Sequence, residues 1–330
     1  MEPKTRQRLE LFAGNVSAMR GEFVMRGTLL RRLSALLYAA EDKAVDPAAI
    51  HECFNLIKQS AGPFSSFRGD SALTIATLLS LRDQPSVLLD GAIRIYHELK
   101  QAKFRASSFL AIAAYQIAAN AQPERYSAIV QRSRAFYEGM KQYHRFLTGQ
   151  DDYIFSAMLG LSDIEVEAGV TKMERLFQRL RPEFHTGIGV QALVQVLALG
   201  KSADDAEARL FALRDALRQR HLKMEREYSL SSLGILSLLP MGSETIANEL
   251  DETAQSLRAH KGFGSFSVTK QELLLLASGL VAMGFIDKAS QGVVETSLFT
   301  SITNIIIAQQ TAIAAAAGAS SAAAASSSSS

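Results

Sequence analysis

The chain carries an internal repeat with a period of about forty residues, and this repeat limits its fold more than any other feature. Once per period, an aromatic residue or a leucine follows a polar segment with helical spacing. These seven positions, separated by 38 to 42 residues, are Phe23, Phe64, Phe104, Phe146, Phe184, Leu222 and Phe263. A short unit of this kind cannot bury its own apolar face, so we expect consecutive units to stack on one another.

Each unit combines two segments of different polarity. The segment before the recurring position is amphipathic: Ala92, Ile95 and Leu99, for example, fall on one face of a helix. The segment after it is apolar nearly throughout, as in FLAIAAYQIA and LLLLASGLVAM, and its alanine, leucine and methionine content favours a helix over a strand. The pattern predicts an outer amphipathic helix, a short turn and a buried inner helix.

The predicted fold is therefore all-α. We expect an array of about seven helical hairpins over residues 1–295, followed by an uncharged Ala/Ser-rich segment over residues 296–330 that forms a C-terminal helix and a flexible tail. The array can stay open as an α-solenoid or close into an α/α toroid, and the sequence does not decide between them. It leaves the oligomeric state open as well.

Composition restricts the class of protein. The 35 basic and 33 acidic side chains nearly balance, so neither a nucleic-acid partner nor an anionic-membrane partner is expected. Cys53 is the only cysteine, which excludes an internal disulfide and a thiolate metal cluster. The first residues contain no apolar export segment. We therefore expect a cytoplasmic protein.

Residues 296–330 carry no charge and include an apolar stretch long enough to cross a bilayer. Asn304, Gln309 and Gln310 oppose insertion of this stretch. We expect a helix that packs on the last unit of the array. Membrane attachment and self-association through small residues are the alternatives.

The stretch HRFLTGQDDY, residues 144–153, concentrates polar side chains where an inner helix is predicted to begin. Thr148 and Asp151 have the spacing of a capping box, which predicts that the Thr148 hydroxyl accepts a first-turn N–H. A second aspartate exceeds what a cap requires, so a ligand or metal role is the alternative. The candidate binding surface, which includes the corresponding part of the second unit, is His144, Thr148, Asp151, Asp152, Tyr153, Arg68 and Asp70.

No catalytic or cofactor motif is present in the chain. GxSxG, HExxH and di-iron spacings are missing, and KGFGSF at 261–266 lacks the preceding strand of a phosphate loop and indicates a tight turn. The basic segments 171–184 and 214–227 interleave acidic residues, which favours a solvated face over an RNA surface. We predict no catalytic residue, no metal site and no cofactor.

Three segments resemble a bacterial family of uncharacterised all-helical proteins, domain of unknown function 4003. They are GPFSSFRGDSALTIATLLSL, FYEGMKQYHRFLTGQDDYIFSAMLGLSD and KGFGSFSVTKQELLLLASGLVAM. The resemblance covers most of the chain and implies a bacterial, cytoplasmic protein. It brings no activity and no catalytic residues.

The leading functional hypothesis is a binding or scaffold protein that engages a protein or peptide partner through its rim of turns or its concave face. It rests on a regular repeat without a catalytic signature. One alternative is an enzyme or small-molecule binder with a pocket near residues 144–153. The other is membrane association through residues 296–330.

Overall fold

The structure is a computed structural model that describes residues 1–200, 205–289 and 306–307. These residues form fourteen α-helices and five short 3-10 helices, and none of them lies in a strand. The prediction of an all-α protein is confirmed. Each apolar segment that follows a recurring position in the sequence repeat is a helix.

The helices alternate in character along the chain. The odd-numbered helices are amphipathic and half-exposed: α1 Pro3–Ala18, α3 Pro47–Ser60, α5 Pro85–Gln101, α7 Tyr126–Tyr143, α9 Val166–Leu180, α11 Ala206–Gln219 and α13 Ser243–Ala259. The even-numbered helices are buried along most of their described length: α2 Thr28–Ala40, α4 Ala72–Ser80, α6 Ser108–Asn120, α8 Asp152–Leu161, α10 Gly187–Leu199, α12 Leu230–Leu238 and α14 Lys270–Ala289.

Local signals account for several helix ends. Asp46 accepts the Ala49 N–H at 3.0 Å, and Pro47 is the first residue of α3. Thr269 accepts the Glu272 N–H at 3.1 Å at the start of α14. Six odd-numbered helices end with a basic residue in the last turn, where it meets the negative end of the helix dipole. These residues are Lys58, Lys100, Lys141, Arg179, Arg218 and Arg258.

Consecutive helices pack in pairs, each odd-numbered helix against the even-numbered helix that follows it. Even-numbered helices also contact one another, most closely α6 with α8 and α10 with α12, and odd-numbered neighbours such as α7 and α9 do the same. Every even-numbered helix therefore has neighbours on several sides, which explains why its sequence is apolar around most of its circumference.

The last pair of helices contacts the first. α1 packs against both α13 and α14, and α14 also packs against α2. The buried Arg8 guanidinium donates to the Met283 carbonyl at 2.5 Å, and Arg32 on α2 forms an ion pair with Glu272 on α14 at 2.6 Å. Charged groups this deep are tolerated because both guanidinium groups are paired with carboxylates and with backbone carbonyls. These contacts join the beginning of the described chain to its end.

The recurring residues of the sequence repeat do not all turn inward. Phe104, Phe184, Leu222 and Phe263 are buried beneath their connections, whereas Phe64 and Phe146 are fully exposed. In the second pair the buried aromatic residue is Phe67, on a 3-10 turn three residues further along. A connection of this length contains several apolar residues, and spacing alone does not specify which of them faces the core.

Most of the predicted C-terminal helix and tail, residues 296–330, lies outside the described residues. Ile306 and Ile307 are described: both are helical and buried, and Ile306 lies beside Gly279 of α14. None of the helices in the described ranges combines the length and hydropathy that crossing a membrane requires.

The contact between α14 and α1 generates a stability prediction. A methyl group at Gly284 would overlap Thr5 Oγ1 and come within 3.2 Å of Thr5 Cα, so Gly284→Ala forces the two helices apart. We expect this substitution to lower the free energy of unfolding by about 1–3 kcal/mol in urea denaturation. Gly14→Ala is the matched control, because a methyl there meets no atom within 4 Å. It should be neutral or stabilise by about 0.5–1 kcal/mol, and equal losses in both variants would contradict the packing argument.

Candidate functional site

The side chain of Asp152 is buried at the first residue of α8 and is held by three donors. Its Oδ1 accepts from Gln191 Nε2 at 3.0 Å and from Gln195 Nε2 at 2.5 Å, and its Oδ2 accepts the Gly149 N–H at 2.8 Å. Gln191 and Gln195 lie one turn apart on α10, so both amides reach the same oxygen. The carboxylate therefore ties the start of α8 to the middle of α10.

The capping prediction for Thr148 is wrong. Helix α8 begins at Asp152, and no side chain at its N-cap, Asp151, accepts a first-turn N–H. The Thr148 hydroxyl instead accepts from Gln191 Nε2 at 3.2 Å. The sequence could not distinguish the two roles, because the competing donor comes from another helix.

Burial changes the acidity of the aspartate pair. Desolvation and the neighbouring charge of Asp151 raise the pKa of Asp152 to about 7, although the hydrogen bonds from Gln195, Gly149 and Gln191 oppose the rise. Burial also raises the pKa of Asp151. Because the two residues are adjacent, ionisation of Asp151 disfavours ionisation of Asp152.

A pocket opens beside this pair and encloses about 510 Å³ of empty space, part of it open to solvent. We call it the acceptor pocket. Its lining residues are Leu147, Asp151, Asp152, Phe155, Ile188, Gln191, Ala192, Gln195, Glu227, Tyr228 and Ser231. None of these lining residues is a lysine, an arginine or a histidine. The pocket thus combines three carboxyl groups with an apolar wall.

The two glutamines leave acceptors unused. Their amide nitrogens donate to Asp152, but Oε1 of Gln191 and Oε1 of Gln195 are buried and have no hydrogen-bond partner in the part of the chain that the structure describes. Both residues are at least nine-tenths buried and line the acceptor pocket. A buried amide oxygen without a donor costs about 1–3 kcal/mol, so these two atoms are suited to a ligand that donates hydrogen bonds.

The backbone of residues 227–229 lies close to the backbone of α10, and this contact positions one wall of the pocket. A methyl group at Gly189 would come within 2.9 Å of Glu227 Cα and of the Glu227 carbonyl, so glycine at this position lets the 227–229 turn lie directly on α10. That turn carries Glu227 and Tyr228 to the pocket. Burial and the adjacent Glu227 raise the pKa of the Tyr228 hydroxyl, which keeps it protonated at neutral pH.

The structure places His144 on the other side of the two glutamines. Its Nε2 contacts Glu174 Oε2 at 2.7 Å, and its ring lies 3.9 Å from the ring of Phe177. These residues line a second cavity, which shares Gln191 and Gln195 with the acceptor pocket. His144 is therefore a neighbour of the pocket and is not among its lining residues.

The other predicted binding residues do not join the pocket. The Tyr153 hydroxyl accepts the Arg105 N–H at 3.3 Å, and its ring packs edge-on against Phe104. Arg68 and Asp70 belong to the connection between α3 and α4 and are not among the residues that line the pocket. Of the seven candidate residues, Asp151 and Asp152 line the pocket and Thr148 supports it through Gln191.

Sequence reasoning missed Gln191, Gln195, Glu227 and Tyr228. A signal for the first two was present, because VQALVQVLALG places two amides four residues apart in an otherwise apolar helix. Polar groups on a buried helix require partners, so this spacing indicates a polar contact across the core. Glu227 and Tyr228 gave no such signal, since they lie in a polar connection.

The acidic groups do not form a metal centre of the usual kind. Within residues 1–200, 205–289 and 306–307, no three His, Cys, Asp or Glu side chains converge in a way that could hold a metal ion. Two of the three carboxyl groups of the acceptor pocket already interact with protein groups. Asp152 accepts hydrogen bonds from the two glutamine amides, and Glu227 interacts with the Tyr228 hydroxyl. The geometry favours a ligand that binds through hydrogen bonds.

Comparison with known proteins gives a family for this chain. The model of a family described as "Protein of unknown function (DUF4003)" matches residues 15–311. No curated protein and no solved structure matches the chain.

The raised pKa of Asp152 makes stability depend on pH. The folded chain binds this proton more tightly than the unfolded chain, so the contribution to the free energy of unfolding is full below the unfolded pKa of roughly 4. It is lost as the pH rises to the folded pKa of about 7. Between roughly pH 4 and 7 we expect the wild type to lose stability relative to Asp152→Asn, by up to about 1.4 kcal/mol per pH unit.

Urea denaturation at a series of pH values measures this difference. Asp70→Asn, which changes an exposed carboxyl, is the control and should keep the wild-type profile. Parallel stability profiles for the wild type and Asp152→Asn would contradict the assignment.

Proposed function

Because the chain belongs to the DUF4003 family, whose description states no activity, we propose a function from the pocket itself: the protein binds a small organic cation with an apolar body. The observation that carries this proposal is the pair of buried, unpartnered amide oxygens, on Gln191 and Gln195, in a pocket with carboxyl groups and no basic side chain. An ammonium group supplies the charge and the hydrogen-bond donors that such a pocket lacks.

The donor and acceptor balance argues for an ammonium ion over a neutral molecule. Asp151 and Glu227 lie at the pocket together with Asp152, so their combined field attracts positive charge. An anion would meet this field with no compensating cation. A bound ammonium would also favour the ionised form of Asp152, since a nearby positive charge lowers the pKa of a carboxyl.

The apolar wall defines the rest of the ligand. Leu147, Phe155, Ile188 and Ala192 line the pocket beside the polar groups. A short alkyl chain or a small ring on the ammonium would cover these side chains and gain about 0.8 kcal/mol for each buried CH₂.

Binding is favoured over catalysis by the state of Asp152. A carboxylate offers roughly four lone-pair positions, and three protein donors already occupy positions on this one. A pKa of about 7 would suit a general acid or base, but the arrangement leaves little of the carboxyl free to contact a substrate. The engaged carboxyl is suited to orienting the glutamines.

We propose also that the seven helix pairs form a closed ring, as in an α/α toroid. The contacts of α1 with α13 and α14, and of α2 with α14, support closure, because an open solenoid leaves its first and last units apart. In such a ring the acceptor pocket lies near the connections that lead from odd-numbered to even-numbered helices.

A peptide that contains a lysine is the second candidate for the ligand of the acceptor pocket. A lysine side chain carries an ammonium group on an alkyl chain, which fits the acceptors and the apolar wall in the same way. Competition between a free amine and a lysine-containing peptide for Asp151 and Glu227 would separate a small-molecule site from a peptide site.

A series of four-carbon compounds tests the proposal. Butylammonium, butane-1,4-diammonium, butan-1-ol and butyrate share an alkyl chain and differ in charge. We expect the two ammonium compounds to raise the melting temperature in a thermal-shift assay and to perturb the NMR signals of the Gln191 and Gln195 side-chain amides. The alcohol and the anion should do neither.

Two double variants, one at the pocket and one control elsewhere, test whether the carboxyl groups attract the ammonium ion. Asp151→Asn with Glu227→Gln keeps the shape of the pocket and removes two charges, so ammonium binding should weaken at least tenfold. The pair Asp163→Asn with Glu167→Gln removes two exposed carboxyls elsewhere and should bind as the wild type does. Equal increases in the melting temperature with butylammonium and with butan-1-ol would overturn the proposal.

A further inference from the structure

Three connections expose large apolar side chains to water. Met25 in the connection between α1 and α2, Phe64 between α3 and α4, and Phe266 between α13 and α14 are each at least 95% exposed. Single exposed apolar residues are ordinary, but a group of fully exposed ones at one place indicates an interaction surface.

The three connections are neighbours. Arg26 of the first donates to the Gly69 carbonyl of the second at 3.1 Å. Arg32, near the start of α2, donates to the carbonyls of Gly262 and Ser267 in the last connection, each at 3.2 Å. The exposed side chains therefore lie around one region where the first pair of helices meets its two neighbours.

Each of these connections packs one phenylalanine against the rest of the protein and exposes another apolar side chain. Phe67 and Phe263 are fully buried beneath Phe64 and Phe266. Phe23 packs against Phe54 and the ring of His51, and its backbone is left-handed, with φ of 46°. A left-handed aromatic residue is strained, and the turn that follows it presents Met25 to solvent. The outward positions are thus fixed by the packing of the inward ones.

A basic pocket lies between the first and last of these connections and encloses about 840 Å³ of empty space, part of it open to solvent. It is lined by Val16, Met19, Arg20, Thr28, Arg31, Arg32, Gly262 and Ser267. Arg32 pairs with Glu272, whereas Arg20 and Arg31 have no carboxylate partner among the described residues. The pocket therefore carries an excess of positive charge.

Two further features of this pocket favour an anion. The Nε of Arg32 is buried and has no acceptor within the described part of the chain, although Arg32 is more than nine-tenths buried and lines the pocket. Thr28 begins the thirteen-residue helix α2, and its N-cap, Gly27, offers no side-chain acceptor for the first-turn N–H groups. Uncapped helix N-termini bind phosphate oxygens.

We propose that this end of the molecule docks on an anionic lipid surface. The basic pocket, through Arg20, Arg31 and the start of α2, binds the phosphate of a lipid headgroup. Met25, Phe64 and Phe266 then enter the interface between headgroups and acyl chains, where apolar side chains leave water. A soluble phosphate compound would use the pocket alone and would leave the exposed side chains unexplained.

Charge argues against a second copy of the chain as the occupant. Two identical surfaces facing each other would bring Arg20 and Arg31 of both copies together, and like charges across an interface cost binding energy. An anionic membrane neutralises the same residues. The docking surface is also separate from the acceptor pocket, so the two proposals stand or fall independently.

Vesicle flotation of the full chain tests the proposal. We expect binding to vesicles of phosphatidylcholine with about 30% phosphatidylglycerol, whose surface carries a negative potential, and no binding to pure phosphatidylcholine. Binding should fall as salt is raised. Arg20→Ala and Arg31→Gln should each weaken it about fivefold, and the double variant Phe64→Ser with Phe266→Ser should weaken it about tenfold or more.

Phe146→Ser is the matched control. Phe146 is about as exposed as Phe64, but it belongs to the connection between α7 and α8, which contributes no residue to the lining of the basic pocket. This variant should bind vesicles as the wild type does, and all variants should keep the wild-type circular dichroism spectrum and melting temperature.

Other results would overturn the lipid assignment. One is a rise in melting temperature with millimolar inorganic phosphate, lost in Arg20→Ala, without any binding to anionic vesicles. Another is concentration-dependent dimerisation in analytical ultracentrifugation that the Phe64→Ser and Phe266→Ser variant abolishes. Equal weakening by Phe146→Ser would exclude a site centred on the basic pocket. Asp151→Asn with Glu227→Gln should leave vesicle binding unchanged, whatever its effect on amines.

Discussion

The structure depends on one requirement: the even-numbered helices are apolar around most of their circumference, so neighbouring helices must shield them from water on several sides. A buried leucine or isoleucine contributes roughly 1.5–3 kcal/mol when it leaves water, and the even-numbered helices consist largely of such residues. One amphipathic helix covers one side of its partner only. The even-numbered helices must therefore contact each other and the odd-numbered helices of adjacent pairs. The contacts between α1 and the last pair of helices follow from the same requirement, because they cover faces of the terminal pairs that would otherwise meet solvent.

Some of the polar groups inside this apolar framework have specific consequences. Arg8 and Arg32 make contacts that join the first helices to α14. Asp152 is satisfied by Gln191, Gln195 and the Gly149 N–H, but this arrangement leaves two amide oxygens without donors. A core of leucines at these positions would avoid the desolvation cost. The retained polar cluster, next to an open pocket, is the reason for assigning a ligand to it. Loss of hydration has two effects here: it raises the pKa of Asp152, and it makes an amide oxygen without a hydrogen-bond donor unfavourable.

The connections between the helices carry the two proposed sites, and they do so in different ways. Near α8 and α10 the chain gathers carboxyl groups and amide oxygens against an apolar wall, which favours a small cation. Around α2 and α14 it gathers arginines and exposed apolar side chains, which favours an anionic surface. The formal charge of the whole chain, +2, gives no indication of either, because the opposite charges are separated in space and cancel in the total.

The sequence by itself determined the all-helical fold, the alternation of amphipathic and apolar helices, the caps at Asp46 and Thr269 and the basic ends of the odd-numbered helices. These features depend on residues within one or two helical turns, so periodicity and capping chemistry are enough to predict them. Asp151 and Asp152 could also be singled out as a candidate site. The tertiary structure decided which donors reach Asp152, why Thr148 faces Gln191 and not the helix end, and which phenylalanine of each connection turns inward. It also brought Glu227 to α10 and Arg32 to Gly262, contacts between residues 38 to 230 positions apart whose partners no local pattern specifies.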